Sequence, residues 1–263
     1  MTEDRPLIVS RDDAIVHLRL NRPQVLNALN QEMAEAFLAA ARDIAADTTV
    51  RAVLLSGEGR AFMAGGDIAT FSVTGKSVAE TVGALIGPFH EAILTLRSQN
   101  APILAALHGP VAGAGMSLAL ACDLAVASED MKMVLAYSAI GTTPDGSGTY
   151  FLPRLVGARR AMELALLNEP LKADRALDLG LVARVVPRDV LDDEALNMAR
   201  HLADGPTLAF GATRRLMDGA FANDLASQLD AERQSFQAMT ETADFAEGNA
   251  AFLEKRKPAF EGR

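Results

Sequence analysis

The stretch from Pro102 to Ala127, PILAALHGPVAGAGMSLALACDLAVA, limits what this chain can fold into more than any other. It is apolar enough to suggest a membrane span, but His108, Gly109, Pro110, Gly113, Gly115 and Asp123 cut it into short pieces. A spanning helix needs roughly 20 continuous apolar residues, and no piece reaches that. The breaks predict a buried strand over Ile103–Leu107, a glycine-rich turn, a buried helix from Met116 to Ala121 and another strand from Asp123 to Ala127. Apolar strands and helices in alternation predict an α/β fold.

The same alternation runs through the first two-thirds of the chain. Asp13 to Leu20 places Val16, Leu18 and Leu20 on one face of a strand, which Asn21-Arg22-Pro23 then stops. From Asn30 a helix is expected, with Met33, Phe37, Ala40 and Ile44 along one apolar stripe. Val50 to Ser56 reads as a buried strand closed by Gly57-Glu58-Gly59. Ser72 to Gly83 shows no pattern, and a helix is expected from Pro88 to Arg97. Met131 to Leu135 reads as a strand, and Gly141 to Tyr150 as a second glycine-rich loop. Beyond Arg159 the pattern is mostly helical, with Gly180 as a helix end before a short strand over Val182–Val186. The expected division is a core over residues 1–200 and a helical region over 201–263.

Composition narrows the function. The chain has 25 Lys+Arg against 34 Asp+Glu, a net charge of −9, whereas nucleic-acid binding calls for a basic stripe. A single cysteine, Cys122, rules out a disulfide framework and an all-cysteine metal site, and no His/Asp/Glu spacing resembles a metal centre. The opening MTEDRPLIVS has no apolar run typical of a signal peptide, so a cytoplasmic protein is expected.

Three glycine-rich turns follow strands: AGGD at 64–67, HGPVAGAG at 108–115 and PDGSG at 144–148. Any one of them alone is an ordinary turn. The second also offers small residues and the start of a helix, where unpaired N–H groups face a ligand. It lacks the Gly-Lys-Ser/Thr of a phosphate loop, and the G-x-G-x-x-G fingerprint is absent.

LNRPQVLNALN, GEGRAFMAGGDI, PILAALHGPVAGAGMSLALACDLAVAS, the PDGSG loop with FLPRLVG, LDLGLVARVV and EGNAAFLEKRKPAF occur in this order along nearly the whole chain. Together they resemble the crotonase (enoyl-CoA hydratase/isomerase) superfamily. The resemblance implies a spiral of ββα units with a helical C-terminal region, assembled as a homotrimer or a dimer of trimers. It implies a coenzyme A thioester as substrate and no bound prosthetic group. Two backbone amides would hold an enolate oxygen; in this sequence they are those of Gly66 and Ala114. Gln24, Val25 and Leu26, with the backbone around Ala64, Asp67 and Ile68, would line the coenzyme A path. Lys257 would meet its phosphates, from a neighbouring subunit or otherwise as part of a solvated charge run.

The departures from the pattern bear on the reaction. Hydratases of this superfamily use two glutamates, and here those positions hold Ser117 and Tyr137, neither an anion at neutral pH. A carboxylate appears instead at Asp145. The nearest likenesses are isomerases acting on ring 1,2-epoxyphenylacetyl-CoA and on delta-3,delta-2-enoyl-CoA, with the same PD-x-x-G loop. A single base suits them, since one proton leaves the alpha carbon and returns at the gamma carbon. The superfamily's 4-chlorobenzoyl-CoA dehalogenases suggest another role. They carry a nucleophilic aspartate at this position and a water-activating histidine at the place of His90, but a tryptophan at the place of Tyr137. His90, Tyr137 and Ser117 are thus secondary candidates beside Asp145, Gly66 and Ala114. Hydration, Asp-nucleophile dehalogenation or thioester hydrolysis, and a non-catalytic acyl-CoA scaffold are the alternatives to isomerisation. His17, His108 and His201 read as structural, Cys122 as inert, and the Ser72–Gly87 region as the wall that shapes the acyl pocket.

Overall fold

The computed structural model of the chain describes residues 5–72 and 77–263. In chain order the elements are β1 (Leu7–Asp12), β2 (Ile15–Leu20), α1 (Gln31–Ala46), β3 (Ala52–Gly57), α2 (Val78–Ser98), β4 (Ile103–Leu107), β5 (Pro110–Ala112) and α3 (Ala114–Leu120). Then follow β6 (Leu124–Ser128), β7 (Lys132–Val134), α4 (Gly148–Val156), α5 (Ala158–Leu167), β8 (Leu171–Lys172), α6 (Ala173–Asp178) and β9 (Arg184–Val186). The chain continues with α7 (Leu191–Ala203), α8 (Thr207–Gly219), α9 (Leu225–Thr240) and α10 (Ala243–Glu254).

A six-stranded sheet runs β1-β2-β3-β4-β6-β9, and a smaller sheet runs β5-β7-β8. In the large sheet only the β1–β2 pair is antiparallel. Two turns of the spiral lay one strand in the large sheet, the next in the small sheet, and then a helix: β4–β5–α3 is one such unit, and β6–β7–α4 the next. The α/β expectation holds.

The large sheet is covered on both faces at its centre, which is why β3, β4 and β6 read as apolar runs rather than alternations. On one face Leu18, Val53, Leu55 and Ala105 meet α1 and α2 through Met33, Phe37 and Phe89. On the other, Ala52, Leu54, Leu104 and Ala106 meet Leu191, Ala195, Ala199 and Ala203, spaced four apart along α7. The expected stripe of Met33, Phe37, Ala40 and Ile44 is fully buried, and Asn30 caps α1 by accepting from the Met33 N–H.

Three elements need correction. The second long helix begins at Val78, not Pro88, and Pro88 lies inside it. Ser77 and Glu80 form a reciprocal capping box that starts the helix ten residues earlier. The Ser72–Gly87 region is therefore largely helical; residues 73–76 of it lie outside the described residues. α3 starts at Ala114, two residues before the expected start. Strand β9 is likewise shorter than Val182–Val186.

Asp123, just before β6, joins distant parts of the chain. Its carboxylate accepts from Arg214 of α8 at 2.8 Å, from Arg97 of α2 at 3.5 Å and from the Ile103 N–H at 2.8 Å. Arg97 also pairs with Asp218 at 2.6 Å and lies 4.7 Å from the Phe151 ring centre. His17 bonds Ser56 at 2.7 Å, and burial lowers its pKa to about 4, so it is a neutral structural histidine. His108 meets the Gly59 carbonyl at 3.0 Å, and burial pushes the Cys122 thiol far above its ordinary range. No described helix is long and apolar enough to cross a membrane.

Candidate active site

The site lies beyond the C-terminal ends of β3 and β4, where two loops run side by side. Met63 bridges Val111: its N–H donates to the Pro110 carbonyl at 3.3 Å, and its carbonyl accepts from the Ala112 N–H at 2.8 Å. Two steps further on, Gly65 and Gly113 are in backbone contact. A Cβ on Gly113 would sit 3.3 Å from the Gly65 Cα, and both residues have positive φ, +53° for Gly113 and +108° for Gly65. Gly115 lies so close to Met63 that a Cβ there would be 2.3 Å from the Met63 carbonyl oxygen.

The next peptide units carry the N–H groups of Gly66 and Ala114. Neither takes an acceptor among the described residues, while Ala64, Asp67 and Gly113 donate to Leu26, Leu29 and Val134 at 2.8–3.0 Å. Two free donors thus stand on adjoining loops whose approach is set by glycines. Gly113→Ala should cost about 1–3 kcal/mol of stability from the forced backbone alone, since its φ 53°, ψ −121° suits only glycine. The spread loops should also lower turnover of an acyl-CoA substrate. Urea unfolding and steady-state kinetics would check both effects.

Asn27 holds the first loop in place and is not among the residues the sequence singles out. It is fully buried with φ +57°, and its side-chain amide donates to the Glu58, Ala61 and Phe62 carbonyls at 2.8–3.2 Å. Asparagine tolerates such a left-handed conformation better than most residues, which is the signal the sequence offers. Arg22 works beside it, donating to the Ala28 carbonyl at 2.5 Å and to the Asp67 carboxylate at 2.8 Å. That ion pair ties the Asp67 side chain to the Arg22 turn, while its N–H donates to the Leu29 carbonyl at 2.8 Å.

The glycine-rich loop at 144–148 brings the other candidates together. A Cβ on Gly146 would meet the Phe89 ring at 2.8 Å, so the loop rests on α2 beside His90. There the Asp145 carboxylate meets His90 Nε2 at 2.8 Å, both side chains partly exposed. Ser117 Oγ donates to the Asp145 carbonyl oxygen at 2.5 Å, and the Tyr137 hydroxyl donates to the same oxygen at 3.1 Å. Burial raises the Tyr137 pKa, which keeps the phenol protonated at neutral pH. Among these described side chains there is one carboxylate and no second acid.

Gln24 and Val25 form an exposed turn ending at Leu26, whose carbonyl accepts from the Ala64 N–H at 3.0 Å, and Ile68 is exposed on the same stretch. Lys257 is not brought to these residues within one chain. Its segment is anchored at the other end of the sheet, where Arg51, before β3, donates to the Phe260 carbonyl at 2.8 Å. No cluster of His, Cys, Asp or Glu among the described residues is built like a metal site.

The mostly parallel strands are wound as a spiral, and comparison with known proteins gives the family. The family model for enoyl-CoA hydratase/isomerase matches residues 10–263. The 1,2-epoxyphenylacetyl-CoA isomerase of Escherichia coli (strain K12) is 38% identical over 253 residues, covering 96% of this chain and 97% of that protein. The 4-chlorobenzoyl coenzyme A dehalogenase-2 of Arthrobacter sp is 32% identical, covering 96% and 92%. Among solved structures, an enoyl-CoA hydratase from Polaromonas sp. JS666 superposes with a TM-score of 0.91 at 34% identity, covering 97% and 99%. The chain belongs to the enoyl-CoA hydratase/isomerase family, within the crotonase superfamily.

Proposed function

We propose that this protein is an acyl-CoA isomerase that shifts a double bond, or isomerises a ring epoxide, in an enoyl-CoA thioester with Asp145 as the single acid/base. The observation that carries this reading is the lone carboxylate, seated on His90, with hydroxyls at both positions where a hydratase has its glutamates. In the double-bond case the Asp145 carboxylate takes a proton from the alpha carbon of a 3-enoyl ester. The electrons move onto the thioester oxygen as a dienolate, held by the Gly66 and Ala114 N–H groups. Each such donor lowers the barrier by roughly 2.7–4 kcal/mol. The protonated Asp145 then returns its proton at the gamma carbon, giving the 2-enoyl ester, so water is neither consumed nor released. Every proton in this scheme is carried by Asp145, with the thioester as substrate.

Products from 3-hexenoyl-CoA and 2-hexenoyl-CoA, followed by mass spectrometry, test the reading. Interconversion of the two esters without added water is the expected result. Rapid 3-hydroxyhexanoyl-CoA formation would establish hydration instead.

The His90–Asp145 contact also favours a second reading, in which Asp145 attacks the halogen-bearing carbon of an aryl-CoA ring, halide leaves, and His90 activates the water that cleaves the resulting aryl ester at the Asp145 carboxyl carbon. That route leaves a solvent oxygen in Asp145 after a single turnover in H₂¹⁸O, and the isomerase route leaves none.

We further propose that the chain assembles as a homotrimer or a dimer of trimers, with Lys257 serving a neighbour's coenzyme A. In support, α9 buries no residue, and Leu225, Phe236, Phe252 and Leu253 are largely exposed. Lys257 also lies apart from its own chain's site loops.

A further inference from the structure

Ser117 is fully buried in the middle of α3. A serine in that setting ordinarily returns its hydroxyl to a carbonyl of its own helix. Here the hydroxyl crosses to a residue 28 positions away, the Asp145 carbonyl oxygen, at 2.5 Å. From another direction the Tyr137 hydroxyl reaches the same oxygen at 3.1 Å, with the two hydroxyls 3.4 Å apart. A carbonyl oxygen has two lone pairs, enough for both donors.

The loop they hold does not rest in a relaxed conformation. Ser147 has φ +80°, in the region that favours glycine, and its hydroxyl donates back to the Ser117 carbonyl at 3.3 Å. Such a conformation persists only where the surroundings fix it. Gly146 and Gly148 leave the room: a Cβ at Gly148 would stand 2.7 Å from Ser117 Oγ, and one at Gly146 would stand 3.3 Å from the Ser117 Cβ.

We propose that Ser117 and Tyr137 are a positioning pair, clamping the Asp145 carbonyl so that the carboxylate of the same residue is held on His90. The proposal rests on Asp145 as the acid/base. It gives a task to the two positions where the superfamily's hydratases have their glutamates: they aim the carboxylate and carry no proton themselves. Side chains in such roles must hold the reacting group within about 0.5 Å of its working place.

The test uses Ser117→Ala, Tyr137→Phe and the double variant in the full chain, with Asp145→Asn as the reference. The chain has only four histidines, so the His90 imidazole can be followed by NMR and assigned with His90→Gln. The clamp predicts that kcat on 3-hexenoyl-CoA falls about 10-fold in each single variant and about 100-fold in the double, with KM within about 2-fold. It also predicts that the His90 titration moves toward the curve seen in Asp145→Asn. A purely structural role would lower the melting temperature and leave the His90 curve and kcat in place.

If the double variant keeps the parental His90 titration and kcat while Asp145→Asn is inactive, the clamp is wrong and the acid/base reading stands. If the parent protein does not turn over the hexenoyl esters, the double-bond reading fails by itself, and the His90 titration still decides the clamp. Should the double variant not fold, Tyr137→Phe, which removes one oxygen atom and keeps the ring, decides the matter through both readouts.

Discussion

Replacing Asp145 with alanine should slow 3-hexenoyl-CoA isomerisation by about 10³-fold, within the 10²–10⁴ range that a positioned acid/base supplies. The effect should fall on kcat, because in the proposed mechanism the thioester is held by backbone groups that the substitution leaves alone. Asp145→Asn is the sharper experiment. It keeps the shape of the side chain and a hydrogen-bonding partner for His90, and removes only the ability to take a proton. Equal loss in both variants identifies proton transfer as what the carboxylate supplies. An asparagine variant retaining more than about a tenth of parental kcat would move the base to another group, with His90, 2.8 Å away, the first to examine.

The largest expected loss of stability comes from Asp123→Ala. The carboxylate lies between Arg214, which is buried, and Arg97, and it also satisfies the Ile103 N–H. Arg214 gives further hydrogen bonds to the Gln99 and Ala101 carbonyls, but its Nε has no partner among the described residues. Burial already disfavours the Arg214 charge, and Asp123 is what offsets it. Removing one partner of such a pair strands the other, which costs about 3 kcal/mol at the lower end of the range for buried pairs. For a chain of this size that is about 6–12 °C in melting temperature. Asp123→Asn keeps an acceptor for Ile103 and should lose less. A shift below about 2 °C for the alanine variant would show that α8 is held by its apolar contacts alone.

Much of the fold is legible in the sequence because burial leaves a period. Met33, Phe37, Ala40 and Ile44 line one helix face, and ILAAL is apolar at every position because both faces of the sheet are covered. The start of α2 is hidden for an equally physical reason. Proline suits a first helical turn, so Pro88 has the look of a beginning, whereas the real start at Ser77–Glu80 lies in a polar stretch with no apolar period. The chemistry is legible in part. Gly66, Ala114 and Asp145 can be named only through the family pattern, since a backbone N–H leaves no mark in a sequence. The meeting of His90 with Asp145, 55 residues apart, depends on how the loop settles on Phe89. Asn27 and Arg22 escape notice because much of their work is done on main-chain carbonyls.

The close seat of Gly146 and Gly148 against Ser117 also restricts how such a chain can change its trade. A longer acid at position 117 has nowhere to go while the loop stays down, and the lifted loop would carry Asp145 off His90. On the proposed scheme, one-carboxylate and two-carboxylate chemistry therefore compete for the same space on this backbone. A path between them by single substitutions passes through a protein equipped for neither, so a new activity would have to arrive by exchanging the whole loop at once.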